Sequence, residues 1–124
     1  MSRIDAQKAQ LQKARDFLDR ILNSEENEIQ RAAAIQAFEV GFELAWKYLK
    51  NLVEENGTLV ASPKSVFREA AKQGLLESPE VWFDFLIARN NTVHTYIEDL
   101  ANEVYKFIRI SFLDELDKLI RIEI

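Results

Sequence analysis

The sequence predicts an all-α fold: an antiparallel four-helix up-and-down bundle with an additional short helix, built as a single domain over residues 1–124. Three observations predict it. The chain holds only three glycines and two prolines, where average usage gives roughly fifteen such residues. A sandwich or barrel needs a turn every ~8–12 residues, and so few breakers cannot supply them. Hydrophobic residues make up 48% and charged residues 30% of the chain, a balance suited to one ordinary globular core. Apolar residues also recur at helical spacing over long uninterrupted stretches.

The first helix is expected from about Arg3 to Leu22. Ile4, Leu11 and Leu18 recur every seven residues, with Ala14 and Ile21 between them, and form one narrow apolar seam. Ser2 can cap it, with Asp5 in the first turn, where a carboxylate suits the helix dipole. The polar run Asn23 to Asn27 reads as a connector. Asn27 and Gln30 have the spacing of a capping box for a second helix, Glu28 to Glu55, which Asn56-Gly57 stops.

This second helix carries two apolar stripes. Ile35, Phe38, Phe42, Ala45, Leu49 and Leu52 form one; Ala34, Ala37, Gly41, Leu44 and Tyr48 form its neighbour. A face that wide requires burial against more than one element. It fits either the central helix of a monomeric bundle or a subunit interface, and its excess over what one small bundle should bury predicts a two-fold homodimer.

Two short helices follow. Ser62-Pro63 places a cap and a first-turn proline before Lys64 to Gln73, and Gly74 ends the segment. Ser78-Pro79 repeats the device before Glu80 to about Asn90, where Val81, Trp82, Phe83, Phe85, Leu86 and Ile87 crowd most faces. The last helix is expected to begin near Thr95, with Thr95 and Glu98 as a capping-box pair, and to reach about Arg121. Ile97, Leu100, Val104, Ile108 and Leu119 would line its inner face.

Composition removes several classes of function. Cysteine is absent, which excludes a disulfide scaffold, a thiolate zinc site and a cysteine nucleophile. One histidine without cysteine gives no metal-ligand cluster, so neither a metal nor a cofactor is expected. The isolated glycines Gly41, Gly57 and Gly74 form no phosphate-cradling loop. No apolar run approaches the ~20 residues needed to cross a bilayer, and Arg3 and Asp5 follow Met1 too closely for a signal peptide. A cytoplasmic protein with no membrane partner is the expectation. The net charge of −5 opposes wholesale binding to a phosphate backbone. Nucleic acid would have to meet a local cluster, and a protein partner is the simpler inference. Glu25, Glu26, Glu54 and Glu55 read as a solvated face.

One segment concentrates chemistry: Arg89-Asn90-Asn91-Thr92-Val93-His94-Thr95-Tyr96, at the junction of two helices. Arginine offers a permanently charged planar fork for phosphate. Histidine can move a proton near neutral pH, from an attacking 2′-hydroxyl or to a leaving oxygen. Asn90 could orient either. Such a set can cut RNA without metal. The spacing alone also fits a helix-terminal cation, a buried histidine bonded to a carbonyl and an amphipathic tyrosine at a helix end.

The Arg89…His94-Thr95-Tyr96 string resembles the R-x4-H-x-Y signature of HepT-type proteins in the HEPN superfamily. The aromatic run Ala37 to Lys47, the Ser62-Pro63-Lys64 start, the Gln73-Gly74-Leu75 turn and the Trp82 helix leading into Arg89-Asn90 resemble its nucleotidyltransferase substrate-binding branch. The similarity runs from about Ile29 to Leu119.

The resemblance implies a homodimer encoded beside a minimal nucleotidyltransferase, in the manner of a toxin–antitoxin pair. It implies a ribonuclease whose paired Arg89–His94 motifs, with Asn90 following the arginine, face each other across the dimer axis. It further implies transfer of AMP by the partner to the motif tyrosine, Tyr96. The chain has no Gly-Ser plus paired-Asp signature of its own, so any transfer must come from that partner. The alternative is a non-catalytic subunit that holds substrate or nucleotide for a split nucleotidyltransferase. Its acidic balance favours that alternative; the intact Arg89–His94 pair favours the ribonuclease.

Overall fold

The computed structural model describes residues 2–123, and its elements follow the apolar periodicity closely. Helix α1 spans Arg3–Leu22, α2 Glu28–Glu55, α3 Pro63–Lys72 and α4 Glu80–Asn91. A 3-10 turn, Thr92–His94, leads to α5, Glu98–Phe107, which continues through a π-turn, Ile108–Phe112, into α6, Leu113–Ile120. The α5–π–α6 rod acts as one long helix, so α1, α2, α4 and this rod make the four-helix bundle and α3 is the additional short element.

Cross-contacts fix the directions. Arg3 and Gln7 near the start of α1 meet Asn51 near the end of α2. Arg15 pairs with Asp117 while Arg109 donates to the Leu22 carbonyl, so α1 also runs antiparallel to the rod. On α4, Trp82 lies against Phe42 and Phe85 against Phe38, so α4 descends along α2.

Local signals account for the helix starts. Ser2 and Asp5 form the reciprocal capping box of α1, and Ser62 caps α3 with Ser65 as its reciprocal partner and Pro63 in the first turn. Asn27 accepts from the Gln30 amide as expected, at 2.8 Å. The Gln30 side chain does not return the bond. It is buried and donates instead to the Ile21 carbonyl and the Tyr105 hydroxyl. Pro79 already has helical angles ahead of α4, and Ser78 accepts from the Glu80 amide, one residue out of the expected frame.

The start of the last helix departs from expectation. Thr95 does not cap it, because its hydroxyl donates back to the Thr92 carbonyl and closes the 3-10 turn. Helix α5 begins at Glu98 with Ile97 in the cap position and no side-chain bond. Ile97, expected inside, is 48% exposed, while Val104, Ile108 and Leu119 are buried.

The π-turn explains how the rod keeps one face inward. Val104, Ile108, Phe112 and Leu116 are all buried, at four-residue steps. In an unbroken α-helix three such steps drift by about 120°. A π-turn absorbs one extra residue, about 100° of rotation, and returns Phe112 and Leu116 to the core.

The core is an aromatic cluster. Phe112 meets Phe38 edge-on at 4.7 Å and Phe85 at 5.0 Å, and Trp82 meets Phe85 at 5.0 Å and Phe67 at 5.5 Å. Gly41 lets the Phe112 ring approach the α2 backbone, since a Cβ there would stand 3.2 Å from the ring. Both stripes of α2 are covered within the chain: Ala34, Ala37, Phe38, Gly41, Phe42, Ala45 and Tyr48 are buried by α1, α3, α4 and the rod. The width of that face is therefore the mark of a central helix and supplies no argument for a second subunit.

Candidate functional site

The sequence-selected segment forms one corner of the bundle, where α4 ends and the chain turns towards α5. Helix α4 delivers Arg89 in its last turn because Trp82, Phe85 and Ala88 face the core and hold the helix against α2. The Arg89 side chain lies along α2, with 27% of its surface accessible. Its Nη1 stands 3.5 Å from Glu39 Oε2 and its Nε 3.6 Å from Glu43 Oε1. Nη1 also donates to the Thr92 hydroxyl at 3.0 Å, which in turn donates to the Arg89 carbonyl at 2.7 Å.

Thr92 thus holds the guanidinium; the sequence offers Asn90 as a residue able to orient Arg89 or His94. Asn90 is exposed and forms no side-chain hydrogen bond to Arg89 or His94 among the described residues. Glu39 and Glu43 were missed altogether. Their signal was available: they lie four residues apart on α2, on the side flanking the buried Phe38 and Phe42.

Two partly exposed carboxylates add little to stability. Their effect is on charge, since they offset the cation that a phosphate would meet. Arg89 Nε is buried without a hydrogen-bond partner, and an unmet buried donor is costly unless a function retains it.

His94 and Tyr96 are exposed, their rings edge-on with centroids 6.0 Å apart. Among the described residues no hydrogen bond or ion pair joins Arg89 to His94. Within one chain, then, the expected pair lies at one corner without a direct polar contact among the described residues. Ile87, Val93, Tyr96 and Ile97 are all exposed around it, Tyr96 at 80%, an unusual concentration of apolar surface beside charged groups. Thr95 and Tyr96 line the end of a groove of about 730 Å³ that runs between α2 and α5, past Ile35, Gln36, Glu39 and Asn102. No group of three or more His, Asp or Glu side chains is placed to hold a metal among the described residues, and no described helix is long and apolar enough to cross a membrane.

A family model described as nucleotidyltransferase substrate binding protein like matches residues 2–122. The chain belongs to this family. Two solved structures share its fold. A crystal structure from Thermus thermophilus is 34% identical with a TM-score of 0.81, over 90% of this chain and 99% of that one. A Haemophilus influenzae protein, described as having the fold of a substrate-binding domain of a nucleotidyltransferase, is 28% identical with a TM-score of 0.69, over 94% of this chain and 93% of its own. A curated Haemophilus influenzae protein named probable ribonuclease HepT is 33% identical over 79 residues, 60% of this chain and 54% of that protein. The chain thus matches about half the length of that curated relative. Membership in the substrate-binding-protein-like family and the HepT likeness agree with the resemblance read from the motif.

Proposed function

We propose that this protein is the HepT-like component of a toxin–antitoxin pair with a minimal nucleotidyltransferase. It acts as a metal-independent endoribonuclease through Arg89, Asn90 and His94 at a homodimer cleft. The observation that carries the reading is the Arg89-x4-His94-x-Tyr96 string gathered at one corner of the bundle, with His94 and Tyr96 exposed and the Arg89 side chain partly accessible. In the reaction the 2′-oxygen bonds to phosphorus while the bond from phosphorus to the 5′-oxygen breaks, leaving a 2′,3′-cyclic phosphate and a 5′-hydroxyl. One histidine takes the 2′-hydroxyl proton and a second protonates the departing 5′-oxygen. Each chain has a single histidine, so this chemistry calls for two copies of the corner. The exposed Ile87, Val93 and Ile97 supply the apolar rim by which two copies would meet. Arg89 binds the charge that develops on phosphorus, and Asn90 offers an amide on the same surface.

Regulation falls to Tyr96. Its hydroxyl attacks the α-phosphorus of ATP held by the partner, pyrophosphate leaves, and the partner removes the phenolic proton. Of the three tyrosines Tyr96 alone presents its ring to solvent. Tyr48 is fully buried, its phenol pushed up by that burial, and Tyr105 is 3% exposed with its hydroxyl accepting from Gln30 and Arg109. AMP on Tyr96 would place bulk and negative charge beside the RNA-binding corner.

The test combines the two halves. The purified chain should cut single-stranded RNA in the presence of chelator and behave as a dimer in sedimentation. Incubation with its transferase, ATP and magnesium should add AMP, mapped by mass spectrometry to Tyr96, and abolish cleavage; Tyr96→Phe should block both effects. Modification of Tyr48 or Tyr105 would defeat the regulatory assignment. Nucleotide binding without any cleavage would instead establish the non-catalytic subunit that the acidic composition favours.

A further inference from the structure

The groove that begins at Tyr96 adjoins a second one. Arg31 and Asn102 line both, and beyond them an open groove of about 470 Å³ is walled by Tyr105, Lys106, Arg109 and Glu26. The charges of the two stretches are opposite. Near Tyr96 the groove carries Glu28, Glu39 and Glu98, with Arg31 as the only cation among the described residues that line it. The second stretch carries Arg31, Lys106 and Arg109 against Glu26 alone, in a chain whose net charge is −5.

Two of these cations have no carboxylate of their own. Neither Lys106 nor Arg109 forms an ion pair among the described residues, whereas Arg31 stands 3.7 Å from Glu26. Arg109 is nevertheless held in place. Its Nη1 donates to the Leu22 carbonyl at 3.3 Å and to the Tyr105 hydroxyl at 3.4 Å, and Tyr105 is fixed by the buried Gln30. Anchoring one nitrogen leaves the other guanidinium donors directed by the fork geometry and available to an oxyanion. The π-turn begins at Ile108 and includes Arg109, and such turns are frequent where a helix serves a site.

We propose that Arg31, Lys106 and Arg109 form a phosphate-binding subsite, separate from the Arg89–His94 corner and set in the adjoining groove. It takes a phosphate of a ribonucleotide, whose sugar and base extend into the acidic stretch, where carboxylates accept from hydroxyl and amino groups. From Glu98 to Arg109 is about 16 Å of helix axis at 1.5 Å per residue, so the subsite stands well away from the reacting bond. The ribonuclease reading is used only for the source of the phosphate: on it, the group belongs to the RNA strand a few nucleotides from the scissile bond. A free nucleotide presents the same chemistry.

The test is fluorescence anisotropy of a labelled, cleavage-resistant 2′-O-methyl oligonucleotide, and separately of labelled ATP, across a salt series. Lys106→Glu and Arg109→Gln should each weaken oligonucleotide binding roughly tenfold or more. Each should flatten the dependence of log affinity on log salt by about 0.7 per lost contact. Lys106 is exposed, so its substitution should leave the fold intact, which guards against a folding artefact at Arg109. Weakened oligonucleotide binding with unchanged ATP binding identifies a strand phosphate; weakening of both identifies the phosphates of a free nucleotide. Unchanged affinity and slope in both variants overturns the subsite. A wild type that binds through Lys106 but never cleaves removes the ribonuclease reading and leaves the subsite standing.

Discussion

RNA cleavage by His94→Ala should fall by about 10²–10⁴-fold, with no change in thermal midpoint. The expected size is that of a lost proton-transfer catalyst, and the absence of a stability effect follows from the surroundings. His94 is exposed, forms no hydrogen bond through its ring among the described residues, and ends a 3-10 turn whose closure rests on Thr92 and Thr95. Arg89→Lys separates charge from geometry. It keeps the cation opposite Glu39 and Glu43 but removes the fork, so it should lose much of the activity that Arg89→Ala loses. Chelator should change neither rate. Cleavage by His94→Ala at the parental rate would assign the activity to a contaminant.

Phe112→Ala should cost about 3–5 kcal/mol, the usual range for emptying a buried aromatic site. Phe112 is fully buried and its ring meets Phe38, Phe85 and Trp82. The cavity cannot close easily, because the ring's other neighbour is the glycine backbone at Gly41, which has no side chain to move inward. Against a total stability of about 5–15 kcal/mol this is a large fraction, and urea denaturation should show the midpoint moving down sharply. Phe112→Leu should recover about half the loss. A cost below about 1 kcal/mol would mean that the π-turn does not deliver this ring to the centre.

Periodicity made the fold legible wherever a helix obeyed a single repeat. The seven-residue seam of α1 and the proline and capping signals of α3 placed those helices within a residue or two. The rod defeated the same reasoning at both ends. At Thr95 a threonine and a downstream glutamate mimic a capping box, yet the hydroxyl closes the preceding turn. At Phe112 and Leu116 the buried positions follow a step that no regular α-helix sustains, so a pattern search for one period misses them. The candidate site was legible as a string of residue types but not as an arrangement. The motif names Arg89, whereas its partners Glu39 and Glu43 lie some fifty residues earlier on α2, a pairing set only by how α4 packs. Thr92 escaped notice for a related reason: a short hydroxyl between Arg89 and His94 gives no signal until the turn brings it under the guanidinium.

The pairing of Arg89 with Glu43 also gives the molecule an optical reporter. The Trp46 indole N–H donates to Glu43 Oε2 at 3.0 Å, the carboxylate whose other oxygen faces Arg89. The second tryptophan, Trp82, is fully buried in the aromatic core and supplies a steady background. Anything that draws the guanidinium away from Glu43 changes the charge felt at the half-buried indole of Trp46. Engagement of Arg89 should therefore be readable in the intrinsic emission of the unlabelled protein, with Trp46→Phe as the silent control.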